Sequence, residues 1–178
     1  PGSSIDARAL DRFLEEAQVT GQLEHPGIVP VHELGLDAQR RLYFTMKLVK
    51  GQDFDKVIDL VRDGQEGWTL ARALNVLSRV CEAMAYAHSK NVIHRDLKPA
   101  NIMVGRFGEV YVMDWGLAKV LDAAPRGGDD KGANESVSAI LTDRRKGRRD
   151  PMSATAEGVV MGTPGYMSPE QASGKLAA

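Results

Sequence analysis

The eight residues His94-Arg95-Asp96-Leu97-Lys98-Pro99-Ala100-Asn101 constrain this chain more than any other stretch. They are framed by short apolar runs at Val92-Ile93, Ile102 to Val104 and Val110 to Met113, which read as strands, with Gly105-Arg106-Phe107-Gly108 as a tight turn between the last two. Thirteen residues after Asn101 comes Asp114-Trp115-Gly116. The set offers one carboxylate for a hydroxyl nucleophile, one cation for phosphate, and an amide and a carboxylate for hard metal ions. Those are the parts of phosphoryl transfer. A charged surface turn accounts for any one of these residues but not for the ordered set.

Around this core the chain alternates helical and extended patterns. Leu10, Phe13, Leu14 and Ala17 recur at three- and four-residue spacing, which predicts an amphipathic helix from Asp6 to about Leu23, stopped by His25-Pro26-Gly27. Ile28 to Leu34 and Leu42 to Val49 read as two strands joined across Asp37-Ala38-Gln39-Arg40-Arg41. Phe54, Val57, Ile58 and Val61 predict a short helix ending at Gly64. Thr69 is placed to cap a longer helix through about Ser89, with Leu70, Leu74, Leu77, Val80 or Cys81, Met84 and His88 on its expected buried stripe. Residues 122–157 lack an apolar period and read as a mobile loop, in which seven basic residues offset seven acidic ones and Arg144 to Arg149 form a basic cluster.

Composition narrows the classes. The 178 residues carry a formal charge of -1, so no global basic field exists to hold nucleic acid or an anionic membrane, and no apolar run approaches the roughly 20 residues of a membrane-spanning helix. Nucleic acid is therefore not an expected partner. The lone Cys81 cannot form an internal disulfide and reads as a small core residue.

With its motifs in this order, the sequence resembles the eukaryotic-type protein serine/threonine kinases, particularly their bacterial branch, over nearly its whole length. Gly162-Thr163-Pro164-Gly165-Tyr166-Met167-Ser168-Pro169-Glu170-Gln171 is similar to the end of that family's activation segment, with Ser168-Pro169-Glu170 standing for Ala-Pro-Glu. The resemblance implies an α+β, two-lobed kinase fold, truncated at both ends, with part of the small lobe in residues 1–49 and part of the large lobe in 50–178. Asp96 would orient the substrate hydroxyl and accept its proton, Lys98 would contact the transferring phosphate, and Thr163 would tie Asp96 to Lys98, favouring serine or threonine over tyrosine. Asn101 and Asp114 would hold magnesium against the phosphates of ATP. Glu16 corresponds to the helical glutamate that pairs with a phosphate-binding strand lysine, Glu15 being the alternative. Met46 would be the gatekeeper, Lys47, Leu48 and Val49 the hinge backbone that meets adenine, and Met103 the side chain beneath the ring. Val31, Thr20, Trp115 and His94 correspond to the regulatory spine. Arg95 beside Asp96 implies pairing with a phosphorylated activation segment, with Thr155 the first candidate ahead of Ser153, Ser136, Ser138 and Thr142.

Two departures stand out: Trp115 replaces the usual phenylalanine and needs a partner for its indole N–H if buried, and the activation segment is lengthened by residues 122–157. The family's Gly-rich loop and strand lysine are not found ahead of the first helix, so catalysis by the isolated segment is not expected. The expected function is that of a serine/threonine kinase catalytic fragment, acting on protein hydroxyls with ATP and magnesium in an intact parent. The alternative is a truncated pseudokinase or regulatory binding scaffold. A cytoplasmic location is expected, with any membrane attachment outside this segment.

Overall fold

The computed structural model of the chain describes residues 7–121 and 160–174. Helix α1 spans Ala7–Gln22. Strands β1 (Val31–Leu36) and β2 (Leu42–Met46) pair antiparallel. The turn between them is pinned by Asp37, whose carboxylate accepts hydrogen bonds from the backbone of Gln39 and Arg41. The apolar stripe of α1 lies on this hairpin, with the Phe13 and Phe44 rings 4.9 Å apart and Ala17 and Val19 buried.

Both strands differ from the sequence expectation at their ends. The first begins three residues later than Ile28, because Ile28 and Val29 are buried and Ile28 bridges in parallel to Val112 instead. Pro30 then interrupts the extended run, as a residue without an N–H must, while its carbonyl accepts from Lys47 N at 3.1 Å. The second strand ends at Met46, and residues 47–50 are irregular.

A second antiparallel sheet, ordered β3-β5-β6, is built from β3 (Gly51–Asp53), β5 (Ile102–Gly105) and β6 (Val110–Val112). Gly51 lies opposite Gly105, and a Cβ on Gly51 would run into the Val104 carbonyl, so only glycine permits that pairing. Helix α2 (Phe54–Arg62) follows at once, its first turn capped by Asp53, whose carboxylate accepts from Lys56 N at 2.8 Å. Helix α3 (Leu70–Ser89) is capped as predicted by Thr69, which accepts from Arg72 N. β4 (Val92–Ile93) pairs with β7 (Lys119–Val120), the latter not foreseen from sequence. A 3-10 turn at Pro99–Asn101 leads into β5, a second at Pro164–Tyr166 precedes the short helix α4 (Pro169–Ala172), and Ser168 and Gln171 cap α4 reciprocally.

The stripe expected to be buried on α3 is largely the wrong one. Leu70, Leu74 and Leu77 are 66%, 55% and 39% exposed, and Cys81, expected in the core, is exposed too. The inward face is Ala73, Val76, Val80, Ala83, Met84 and Ala87. Small side chains are needed there because the chain passes close by: a Cβ on Gly27 would already stand 3.1 Å from that of Ala83. Hydropathy weights leucine above alanine, so periodicity points to the outer face when the inner one is set by close approach. The expected loop at 122–157, its Arg144 to Arg149 cluster, and the phosphosite candidates Thr155, Ser153, Ser136, Ser138 and Thr142 lie outside the described residues.

The two faces of α3 predict opposite responses in the protein that carries this chain. Ala83→Leu should destabilise it by about 1–3 kcal/mol through overpacking, whereas Leu74→Gln should stay within about 0.5 kcal/mol. Urea-unfolding midpoints measure both, and a larger loss from Leu74→Gln would reverse the assignment of the faces.

Candidate active site

Buried polar groups must find hydrogen bonds, and the loop between β4 and β5 is assembled by that requirement. Asp96 is 8% exposed. Its carboxylate accepts from Lys98 Nζ at 2.8 Å, from Thr163 Oγ1 at 2.7 Å and from Asn101 Nδ2 at 3.3 Å, while Asn101 Nδ2 also donates to the Asp96 carbonyl at 2.9 Å. Lys98 Nζ donates to Thr163 Oγ1 at 2.9 Å, closing a triangle across 67 residues of sequence. Burial alone would push the Asp96 carboxyl upward. Hydrogen bonds from Lys98, Thr163 and Asn101, with the Lys98 charge, outweigh it and hold the carboxyl below its usual range. The same hydrogen bond to Asp96 raises Lys98.

His94 is buried at 2% exposure, and its ring fixes the loop to the strand end that carries Asp114. Nε2 lies 2.9 Å from the Met113 carbonyl and so donates to it, which leaves Nδ1 to accept from Asp96 N at 3.3 Å. Met113 N in turn donates to the Asn101 carbonyl at 2.8 Å. Asn101 and Asp114 are thereby brought to one place. Trp115 is 1% exposed, its ring 4.7 Å from that of His94, and its indole N–H donates to the Val112 carbonyl at 3.4 Å, the partner that its burial required.

Arg95 and Asp114 both adopt left-handed backbone, with φ of 66° and 58°. Such conformations persist in non-glycine residues only where surroundings over-determine them. For Arg95 these are Nε donating to the Leu117 carbonyl at 2.6 Å, and its own carbonyl accepting from Gln171 Nε2, also at 2.6 Å. Gly162, at φ 122°, is the residue that fits beside that carbonyl, since a Cβ there would come within 2.9 Å of it. Gln171 also donates to the Met161 carbonyl at 3.3 Å. Gln171 thus ties the segment carrying Thr163 to the loop carrying Asp96, a role that sequence reading missed because an amide directed at backbone carbonyls leaves no spacing pattern.

Among the other expected site residues, Glu16 reaches the Asp114-Trp115-Gly116 corner: a Cβ on Gly116 would lie 3.1 Å from Glu16 Oε2 and 3.3 Å from Asp114 Oδ1. Desolvation, and then the Asp114 charge, raise the Glu16 carboxyl. Thr20 is buried and Val31 half-buried at the far end of α1. Met103 lies on β5 opposite Tyr111. Met46 and Leu48 are exposed, at 37% and 77%, and Val49 half-buried. The Lys47 side chain turns to the Tyr111 hydroxyl, to which it donates, and that hydrogen bond raises its ammonium. Tyr111 is a second residue that the sequence did not single out.

This arrangement gathers a carboxylate, a cation and the oxygens of Asn101 and Asp114 on one loop and the strand end bonded to it, on a scaffold of helices and short strands. The protein kinase domain family matches residues 2–176. The chain belongs to the protein kinase family. It is 38% identical over 174 residues to the serine/threonine-protein kinase PknD of Protochlamydia amoebophila, covering 93% of this chain and 16% of that protein. It is 35% identical to PknD of Chlamydia trachomatis serovar D, with 94% and 18% covered, and 34% identical to PknD of Chlamydia muridarum, with 93% and 18% covered. The kinase chain therefore spans less than a fifth of the length of these relatives. Kinases of this family use ATP and a divalent metal in general.

The donor set fits a hard cation. Asn101 spends its amide nitrogen on Asp96 and leaves an oxygen, Asp114 is an exposed carboxylate, and among the described residues no cluster of three or more His, Cys, Asp or Glu gathers into an all-protein cage. Two protein oxygens suit an ion completed by phosphate and water. No helix among the described residues is long and apolar enough to cross a membrane.

Burial lowers the His94 pKa, so the neutral ring belongs to the folded kinase. Below about pH 6.5 the unfolded chain takes up that proton first, and stability falls until the folded pKa is passed. Glu16, raised, acts in the opposite sense, so the diagnostic is the difference between wild type and His94→Phe. Thermal midpoints measured from pH 7.5 to 5 should fall more steeply for wild type. Parallel curves would mean that His94 is not held neutral.

Proposed function

We propose that the protein carrying this chain transfers the terminal phosphoryl group of ATP to serine or threonine hydroxyls of proteins. The reading is supported above all by the Asp96-Lys98-Thr163 triangle. Its carboxylate is kept ionised, its ammonium is fixed by two hydrogen bonds, and its threonine comes from a distant segment, so the set forms only when that segment is docked. Asp96 accepts a hydrogen bond from the substrate hydroxyl, aligns its oxygen, and takes the proton as the new oxygen–phosphorus bond forms and the bond from the terminal phosphorus to the ADP leaving group breaks. A lowered pKa suits positioning of the hydroxyl more than strong basicity. Lys98 bridges Asp96 and the transferring phosphoryl oxygens. Asn101 and Asp114 would hold magnesium through their oxygens. When bound, magnesium-ATP supplies the phosphoryl group and offsets the charge that develops on its oxygens.

Residues 1–49 then form part of the small lobe and 50–178 part of the large lobe. The backbone of Met46, Lys47, Leu48 and Val49 meets adenine, and Met103 lies beneath the ring. The Glu16 carboxyl is raised by desolvation and by Asp114, and the ammonium of a phosphate-binding lysine beside it would relieve both. Phosphorylation of Thr155 and its pairing with Arg95 belong to the same reading, as does a cytoplasmic site of action.

Asp96→Asn keeps the shape of the side chain but removes its charge, the ion pair with Lys98 and the proton acceptor. Phosphate incorporation into a serine- or threonine-bearing protein should drop by about 10²–10⁴-fold, while circular dichroism still reports a folded protein. Unchanged turnover would remove Asp96 from the chemistry, and a wild-type protein that binds partners but never transfers phosphate would favour the scaffold alternative.

A further inference from the structure

A cleft of about 320 Å³ opens at the end of β5 remote from Asn101. Its floor is Gly51, Val104 and Gly105, and its walls carry Trp68, Arg72, Arg106 and Glu66. The Arg72 guanidinium lies over the Trp68 ring at 3.9 Å, a stacking that holds the planar fork in place. Arg106 N donates to the Lys50 carbonyl, which brings Lys50 alongside, and Arg79 reaches the same turn through the Gly108 carbonyl at 3.2 Å. Among the described residues none of Lys50, Arg72, Arg79 and Arg106 is in an ion pair, whereas Arg41, Arg62 and Lys98 are. Glu66 is the one acid on the walls. At the tip of the turn Phe107 stands 93% exposed, an aromatic ring in water next to Arg106; the Glu109 carboxylate in the same turn accepts from the Phe107 N–H at 3.0 Å.

We infer that this cleft docks an acidic segment of a protein substrate, carboxylates on Arg72 and Arg106 and an apolar side chain on Phe107. A guanidinium held by stacking, as Arg72 is, recognises a carboxylate bidentately, Arg106 adds a second cation on the same cleft, and aromatic residues and arginine are the side chains that anchor interfaces. The chain as a whole carries a charge of only -1 and the cationic group is confined to one turn and one helix face, a footprint fitted to a short peptide rather than to a polynucleotide track. Position adds a purpose. Gly105 is four residues along β5 from Asn101, about 13 Å at strand rise, so a docked substrate keeps its acceptor hydroxyl near the Asp96 loop at raised effective concentration. The inference rests on the kinase reading for that last step, but the binding itself does not.

The test uses the protein that carries this chain, a labelled short peptide rich in glutamate and aspartate with one leucine, and a serine acceptor peptide with and without that acidic extension. The double variant Arg72→Glu with Arg106→Glu removes the cations without weakening the fold, because residue 72 is the third position of α3 and glutamate there completes a capping box with Thr69. Arg40→Glu, on the β1–β2 turn, is the control for a charge reversal elsewhere on the surface. Expected results are anisotropy-detected binding lost in the double variant but not in Arg40→Glu, weakening with added salt, and an extension that lowers KM about tenfold in wild type and in Arg40→Glu but not in the double variant, with kcat unchanged. A kinase that phosphorylates both acceptors with equal KM, or an RNA oligonucleotide that binds through the same arginines while the peptide does not, overturns the docking site. Peptide binding with no phosphorylation of either acceptor would instead overturn the kinase reading and leave the cleft standing.

Discussion

A carboxylate cannot be taken out of water unless donors meet it, and the burial of Asp96 sets the rest of this structure in order. Its donors come from two residues away, from five residues away and from 67 residues away. The first two shape the loop between β4 and β5. The third requires the segment around Thr163 to return to that loop, and Gln171 and Gly162 lock the return by seating on the Arg95 carbonyl. Removing any one donor would leave a buried charge short of partners, so the triangle links the order of the late segment to the ionisation of the central acid.

From that loop the connection runs outward through backbone bonds. His94 and Asn101 hold Met113 from both sides, Val112 N donates to the Gly27 carbonyl at 2.8 Å, and Ile28 bridges to Val112. The stretch after α1 is thus stitched to β6, and Glu24 N adds a bond to the Tyr86 hydroxyl on α3. Lys47 and Tyr111 make a second tie between the chain after β2 and the same strand. A shift at the C-terminal end of α1 is therefore felt two residues from Asp114, and Glu16, two turns earlier on that helix, faces the same corner. Packing and electrostatics here share one strand.

The sequence disclosed the site better than it disclosed the core. Asp96, Lys98, Asn101 and Thr163 meet as their motifs imply, because each motif is a fixed spacing of groups with one chemical use. Helix α1, the caps at Asp53 and Thr69, and the turn at Gly105 to Gly108 follow from local rules of period and capping; all but the Asp53 cap were foreseen. The inward face of α3 was misread, since alanines selected for close approach carry little hydropathic weight beside exposed leucines. Strand β7, the bridge at Ile28 and the roles of Gln171 and Tyr111 were invisible, because each depends on a partner distant in sequence and leaves no periodic trace.

Lys98, Asn101 and the distant Thr163 together keep the buried Asp96 ionised. A carbon-13 NMR titration of the Asp96 carboxyl, in wild type and in Thr163→Val, tests it most directly. The structure predicts a midpoint below the ordinary value of about 3.9 in wild type and a higher one once the threonine hydroxyl is gone. A wild-type midpoint at or above 3.9, unmoved by Thr163→Val, would mean that burial wins over the triangle and would contradict the account.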